Sequence, residues 1–183
     1  MTITTVDHGV RLYVACLASY NAGTLHGAWI EGADLEDLDV LREAIKDLLK
    51  ASPEPGAEEY AIHDHEGLPD FLRGEWPDLS DIVDYCQQLT DCEDSAQHLA
   101  YRKVCENERR VMTREDALES YVGWYESEAD FVEDLYRNSF EVNSDLETVL
   151  RHVDWQQLWE CEYECDSWWS CSDDDGGVLI FAP

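Results

Sequence analysis

"DLEDLDVLREAIKDLLK", residues 34–50, decides the reading of the fold. Leu35, Leu38, Leu41, Ile45, Leu48 and Leu49 recur at helical spacing, so the segment predicts an amphipathic helix with one face for a core. Asp34 suits its N-cap and Glu36 its first turn, where the helix dipole favours negative charge. Asp39–Arg42, Glu43–Lys46 and Asp47–Lys50 are placed to pair along the exposed side. Upstream, "VRLYVACLASY" (10–20) is rich in β-branched and aromatic residues and predicts a strand. "NAGTLHG" supplies turn residues, and "GAWIEG" (27–32) predicts a second strand. Downstream, "SPEPG" (52–56) stops the helix, and "EEYAIHDH" (58–65) predicts a third strand. Strand, strand, helix, strand makes a small α+β unit over residues 1–65.

From Glu66 the pattern turns helical. In "LPDFLRGEWPDLSDIVDYCQQL" (68–89), Leu79, Ile82, Val83, Cys86 and Leu89 share a face, with Asp81 and Asp84 away from it. "SAQHLAYRKVCENERR" (95–110) continues a helical module over 66–111. A third unit, 112–183, opens with a Thr113–Asp116 capping box in "TREDALESYVGWY" (113–125). In "YESEADFVEDLY" (125–136), Ser127 and Asp130 cap a helix. Phe131, Val132, Leu135 and Tyr136 gather on one side of it, while Asp130, Glu133 and Asp134 crowd the other with only Arg137 to answer them. "DLETVLRHVDWQQLWECEY" (145–163) predicts further helix. "SWWSC" and "VLIFA" predict two strands joined by "SDDDGG" (172–177), whose Asp and Gly suit a hairpin turn. The fold class expected is α+β, with three small domains: a sheet plus helix, a helical module, and helices plus a hairpin.

Charge is the main functional signal. Among 183 residues, 42 Asp and Glu stand against 12 Lys and Arg, a formal net charge of -30. With 44% hydrophobic residues the chain still has material for real cores, so it is not a disordered acidic tail. It should be repelled by nucleic acid and anionic membranes and drawn to basic surfaces, including the DNA-binding grooves of other proteins. No apolar stretch is long enough to span a bilayer. "MTITTVDHGVRLYVACL" (1–17) lacks a basic start and a cleavage site, so no secretion signal is expected. Seven irregularly spaced Cys then read as reduced thiols in a cytoplasm.

Candidate chemistry is sparse. His63 and His65 could share a side of a strand beside Asp64 and Glu66, but solvated imidazoles explain them more simply. Cys161 and Cys165, four apart on the predicted helix, with Cys171, lack the paired CxxC knuckles of a zinc site and read as buried small hydrophobes. "SDDDGG" lacks the alternating ligands and closing Glu of a calcium loop. No nucleophile elbow, phosphate loop or dinucleotide fingerprint is present. Acids are everywhere, so no carboxylate pair stands out for glycoside hydrolysis. Neither catalysis, a metal nor a cofactor is expected. Most of the seven Trp should be core, with "WECEYECDSWWSC" (159–171) as an alternative exposed aromatic patch for dimerisation.

Two readings of the acid surplus stay open on composition. One is a salt-adapted structural or metal-binding protein with a diffuse acidic surface. The other is a decoy for nucleic acid: thirty surplus charges match roughly 50 Å of duplex, which carries one charge per roughly 1.7 Å of axis.

Several blocks carry a resemblance. "LYVACLASYNAGTLHGAWIE" (12–31) resembles the opening of the ArdA antirestriction family, and "EEYAIHDHEGLP" (58–69) its next block. "YVGWYESEADFVEDL" (121–135) resembles a Tyr, Gly, Tyr, Ser, Asp-Phe segment of that family. "VDWQQLW" (153–159) and "DGGVLIF" (175–181) resemble its last helix and strand. The Cys- and Trp-rich stretch 159–171 departs from the family pattern. The resemblance implies a DNA mimic of mobile genetic elements, three small domains in an elongated, curved α+β chain, and a homodimer made through the C-terminal region. It implies binding to type I restriction–modification enzymes in the groove meant for DNA, inhibiting restriction and, in the wider form, modification, with no catalysis and no cofactor. A mimic aimed at another DNA-binding machine, such as a CRISPR effector, is the variant of this reading. The acids expected to face the partner are Asp81, Asp84, Asp91, Glu93, Asp94, Glu126, Asp130, Glu133 and Asp134. The family's antirestriction segment falls near Gly123, Tyr125, Phe131 and Leu135, close to the dimer contact.

Overall fold

The computed structural model describes residues 9–173 and 176–183. The start of the N-terminal stretch read for a secretion signal and the tip of the "SDDDGG" turn lie outside them. Helix and strand are mixed, as an α+β fold requires, and contacts group the chain into two compact units, Met1–Asp116 and Ala117–Pro183.

The first unit holds strands β1 (Arg11–Cys16), β2 (Gly27–Glu31) and β3 (Tyr60–Glu66) in an antiparallel sheet of order β2-β1-β3. The strand expected over 10–20 ends at Cys16, and a short helix α1 (Leu17–Asn21) follows. Ala18, Ser19 and Asn21 lack the branched or aromatic side chains that favour a pleated surface. Helix α2 (Leu38–Lys50) presents the expected stripe, with Leu41 and Ile45 buried. Its cap is Asp37, not Asp34: the Asp37 carboxylate accepts from Val40 N–H at 2.9 Å. Gly32–Asp34 forms a 3-10 turn instead, which buries Leu35 ahead of the helix. Helix α3 (Leu79–Thr90) packs against α2, and α4 (Ser95–Glu108) follows. Gln87 Nε2 donates to the Glu36 carbonyl at 2.5 Å. The core beneath these helices includes Ile82, Cys86, Leu89 and Cys105, with Tyr85 and Tyr101 stacked at 5.4 Å.

One glycine in this sheet has no substitute. A Cβ at Gly27 would lie 2.6 Å from the Tyr13 ring and 2.7 Å from the Val14 carbonyl oxygen. The ring could swing, but the carbonyl belongs to the β1 ladder. Gly27→Ala is expected to cost about 1–3 kcal/mol through overpacking, read as a lowered melting temperature. An unchanged melt would show that β1 and β2 do not approach this closely.

Helix α5 (Arg114–Leu118) leads to the second unit. There β4 (Tyr121–Tyr125), β5 (Trp169–Ser172) and β6 (Val178–Phe181) form an antiparallel sheet of order β4-β6-β5. β4 is a strand beyond those expected; "YVGWY" pairs along β6 with a register shift between Tyr121 and Gly123. Helix α6 (Glu128–Ser139) is capped by Ser127, whose hydroxyl accepts from Asp130 N–H at 3.2 Å. The stretch 145–163 breaks into α7 (Ser144–Leu150), α8 (Trp155–Leu158) and a π-helical turn (Trp159–Tyr163). The break has a local cause: Asp154 accepts from Gln157 N–H at 3.0 Å and starts a new helix. Phe131, Val132, Trp159 and Ile180 form the core cluster of this unit. Of the tryptophans only Trp159 is buried; Trp155, Trp168 and Trp169 are half-buried, and Trp29, Trp76 and Trp124 are exposed. An indole shields its large ring on one face while the other stays wet, and several here do so against a neighbouring aromatic ring. Trp169, for example, stacks on Phe181 at 3.8 Å.

Candidate functional site

The exposed acids follow from how the helices are oriented. In α3 the apolar face is spent on the core, so Asp81 and Asp84, one turn apart, project outward. Asp78 caps the same helix, accepting from Ser80 N–H at 2.8 Å. Partial desolvation, then the neighbouring Asp78 and Asp84, hold the Asp81 carboxyl above its ordinary value. Asp91, Glu93 and Asp94 are exposed between α3 and α4. Asp94 caps α4 by accepting from Gln97 N–H at 2.9 Å, and Gln97 Oε1 accepts from Glu93 N–H at 3.0 Å. Among the described residues, Asp81, Asp84, Asp91, Glu93 and Asp94 form no ion pair.

In the second unit Glu126, Asp130 and Asp134 are exposed. Asp130 accepts from the Ser127 hydroxyl at 2.5 Å. Glu133 differs: it is half-buried and accepts from Arg137 Nε at 2.7 Å, so it is the least available of the expected acids. Arg137 also donates to Glu147 at 2.8 Å, and Arg151 reaches Glu147 at 3.5 Å. This chain of ion pairs ties α6 to α7. The remaining residues of interest are structural in placement. Gly123 and Tyr125 lie on β4, and Tyr125 meets Phe131 edge-on at 5.2 Å. Phe131 is buried, and Leu135 packs against its cluster.

Four acids escaped the sequence reading. Glu160, Glu162, Glu164 and Asp166 are all exposed on the π-helical turn and the 3-10 turn after it (Glu164–Asp166). Their signal was there: an acid at every second position inside an aromatic and thiol-rich stretch. Cys161 and Cys165, expected to be buried, are exposed among them. The amphipathic pattern that buries a thiol on a regular helix fails where α8 changes to a wider turn.

His63 and His65 lose their simple strand relation. The β1–β3 register pairs Tyr13 with Asp64 and Val14 with Ile62, which leaves His63 as the extra residue of a bulge. His63 instead meets Tyr20 edge-on at 4.8 Å. Among the described residues, no group of three His, Cys, Asp or Glu is arranged to hold a metal ion. No helix among them is long and apolar enough to cross a membrane.

The ion pairs set a pH dependence. Hydrogen bonding from Arg137 is the chief cause holding the Glu147 carboxyl below its ordinary value. A carboxylate depressed in the fold stabilises above its unfolded pKa, and that stability is lost as pH falls through the folded value. Asp81 has the opposite sign: its raised pKa means that charge opposes folding at neutral pH and relents on acidification. Thermal melts between pH 7 and pH 3 should therefore separate two variants. Arg137→Met should melt lower at pH 7 and lose less on acidification than the parent. Asp81→Asn should melt slightly higher at pH 7, the gain vanishing in acid. Parallel curves for both variants would refute this assignment.

No curated protein matches the chain significantly. A family model described as Antirestriction protein (ArdA) matches residues 12–167. That span takes in nearly all of the first unit's sheet, the acidic helices α3 and α6, and Phe131 with its neighbours Tyr125, Trp159 and Tyr163, while Trp168, β5 and β6 lie beyond it. The chain belongs to the ArdA family of antirestriction proteins.

Proposed function

We propose that this chain is a DNA mimic that enters the DNA-binding groove of a type I restriction–modification enzyme and blocks restriction. The observation that carries the proposal is the pairing of family membership with exposed carboxylates that form no ion pair among the described residues, in both units: Asp81, Asp84 and Asp91 in one, Glu126 and Asp134 in the other. Carboxylates one helical turn apart stand about 5–6 Å from each other, the scale of backbone phosphates. Lys and Arg of the partner relieve their mutual repulsion on binding, which makes association fast and salt-dependent. The same reading includes three small domains in an elongated chain, dimerisation through the C-terminal region near Gly123, Tyr125, Phe131 and Leu135, and action in the cytoplasm of a cell that carries a mobile element. Salt adaptation is not favoured, since antirestriction family membership supplies a reason for the charge.

A competition assay tests it. The pure protein is titrated into a type I methyltransferase bound to labelled target DNA, at two salt concentrations, beside an unrelated acidic protein. Displacement near stoichiometry, weakened by salt and absent with the control, is expected. No displacement at low salt by the folded protein would remove this target.

A further inference from the structure

Six of the seven cysteines fall into two populations, and the seventh, Cys171, is half-buried on β5. Cys16, Cys86, Cys92 and Cys105 are buried in the first unit, and burial pushes Cys86 up to about 12 and Cys92 to about 11. Burial keeps all four from reagents, although at Cys16 desolvation is outweighed by hydrogen bonding with Ser52 and Ser19, which holds that thiol below its ordinary value. Cys161 and Cys165 are exposed, four residues apart on consecutive helical turns of the second unit. Their relation is more than spacing. The Cys165 thiol donates to the Glu160 carbonyl oxygen at 3.5 Å, so it leans back along the chain. That oxygen belongs to the peptide joining Glu160 to Cys161 and lies about 3 Å from Cys161 Cα. Cys165 Sγ is thus at most roughly 6.5 Å from Cys161 Cα, against the roughly 5 Å that the Cys161 side chain and an S–S bond span, so closure takes a small shift of Cys165 as well as a suitable Cys161 rotamer. The Cys161 thiol makes no hydrogen bond among the described residues that would hold it back. Glu160, Glu162, Glu164 and Asp166 surround the pair with exposed negative charge.

We propose that Cys161 and Cys165 form a reversible dithiol site that closes to an intramolecular disulfide by exchange with cationic low-molecular-weight disulfides. The Cys161 thiolate attacks one sulfur of the small disulfide. Its S–S bond breaks, and one small thiol leaves after taking a proton. The Cys165 thiolate then attacks the protein sulfur of the mixed disulfide and expels the second small thiol. Two protein thiols are oxidised to one disulfide, and one small disulfide is reduced to two thiols. Cβ atoms four apart on a helix stand about 5–6 Å apart, while a disulfide wants about 3.8 Å. Closure therefore tightens the turn, and an exposed disulfide under such strain is readily reduced again. The surrounding carboxylates draw in an amine-bearing disulfide and repel an acidic one.

The test treats the full-length protein with cystamine or with glutathione disulfide, followed by intact mass and peptide digestion. Cystamine should yield a monomer lighter by two hydrogens with Cys161 linked to Cys165. It should react at least about tenfold faster than glutathione disulfide at low salt, a gap that narrows as salt is added. Cys161→Ser and Cys165→Ser should each stop at a single mixed disulfide or none, and dithiothreitol should restore the parent mass. Stable mixed disulfides on the parent, a disulfide-linked dimer, or ring closure that survives Cys161→Ser through another cysteine would each overturn the proposal. Equal rates with the two reagents at low salt would overturn its charge selectivity.

Discussion

Phe131→Ala is expected to unfold the second unit while the first keeps its own melt. The Phe131 ring meets Tyr125, Trp159, Tyr163 and Trp168, with centroids 5.2 to 6.0 Å away, and is buried between α6 and the sheet. Truncating a buried Phe costs about 3–5 kcal/mol, lost transfer energy plus the cavity left behind. A unit of this size holds about 3–10 kcal/mol in all, so the loss consumes much or all of its stability. Leu135→Ala, at a half-buried position on the edge of the same cluster, should cost less. Urea unfolding followed by circular dichroism checks both. A Phe131→Ala midpoint close to the parent's would mean that the aromatic cluster is not the core of this unit. The same variant bears on function, because Glu126, Asp130, Asp134 and the acids at 160–166 all depend on that unit for their placement.

The second large effect concerns charge, and it should appear only in combination. An exposed ion pair is worth about 0.2–1 kcal/mol. Asp81→Asn or Asp134→Asn alone should therefore change competition by only a few-fold. Asp81, Asp84, Asp130 and Asp134 changed together to Asn should lose about 1–4 kcal/mol, roughly 5- to 1000-fold in affinity. The quadruple variant should also show a shallower dependence on salt. The fold should survive, since removing like charges relieves repulsion. A single substitution that abolishes inhibition in a folded protein would defeat the distributed picture. A quadruple variant as potent as the parent would defeat the role of these acids.

The parts of the fold that periodicity governs were legible. The α2 stripe, the three ion pairs expected along it, the α3 face and the Ser127 cap stand where their spacing puts them. Three ambiguities were not resolved by local pattern. Asp34 and Asp37 can both cap a helix, and burial of Leu35 ahead of the first turn selects the second. "YVGWY" is too short to declare itself, and it becomes a strand because β6 offers it a partner. The run 145–163 reads as one helix until Asp154 takes its own cap. At the candidate site, exposure of the acids followed from the helix faces, but pairing did not. Glu133 looked equivalent to Asp134, yet Arg137 is shared between Glu133 and Glu147, a residue ten positions further on. Seven tryptophans suggested more core than there is, because ring-on-ring stacking leaves half of an indole wet.

That wet aromatic surface has an optical consequence. Trp29, Trp76 and Trp124 are exposed on a chain of net charge -30. A collisional quencher must cross that field to reach them. Caesium ions should collect around Trp76 and Trp124 and quench their emission strongly, while iodide should be held off; Trp29, with the Arg11 guanidinium 4.6 Å over its ring, should show a smaller contrast. Trp159, buried at 4% exposure, should resist both. The contrast between the two ions measures the potential averaged over the exposed rings without any mutation. It should collapse as salt shortens the reach of the field, and again when a basic partner covers the carboxylates.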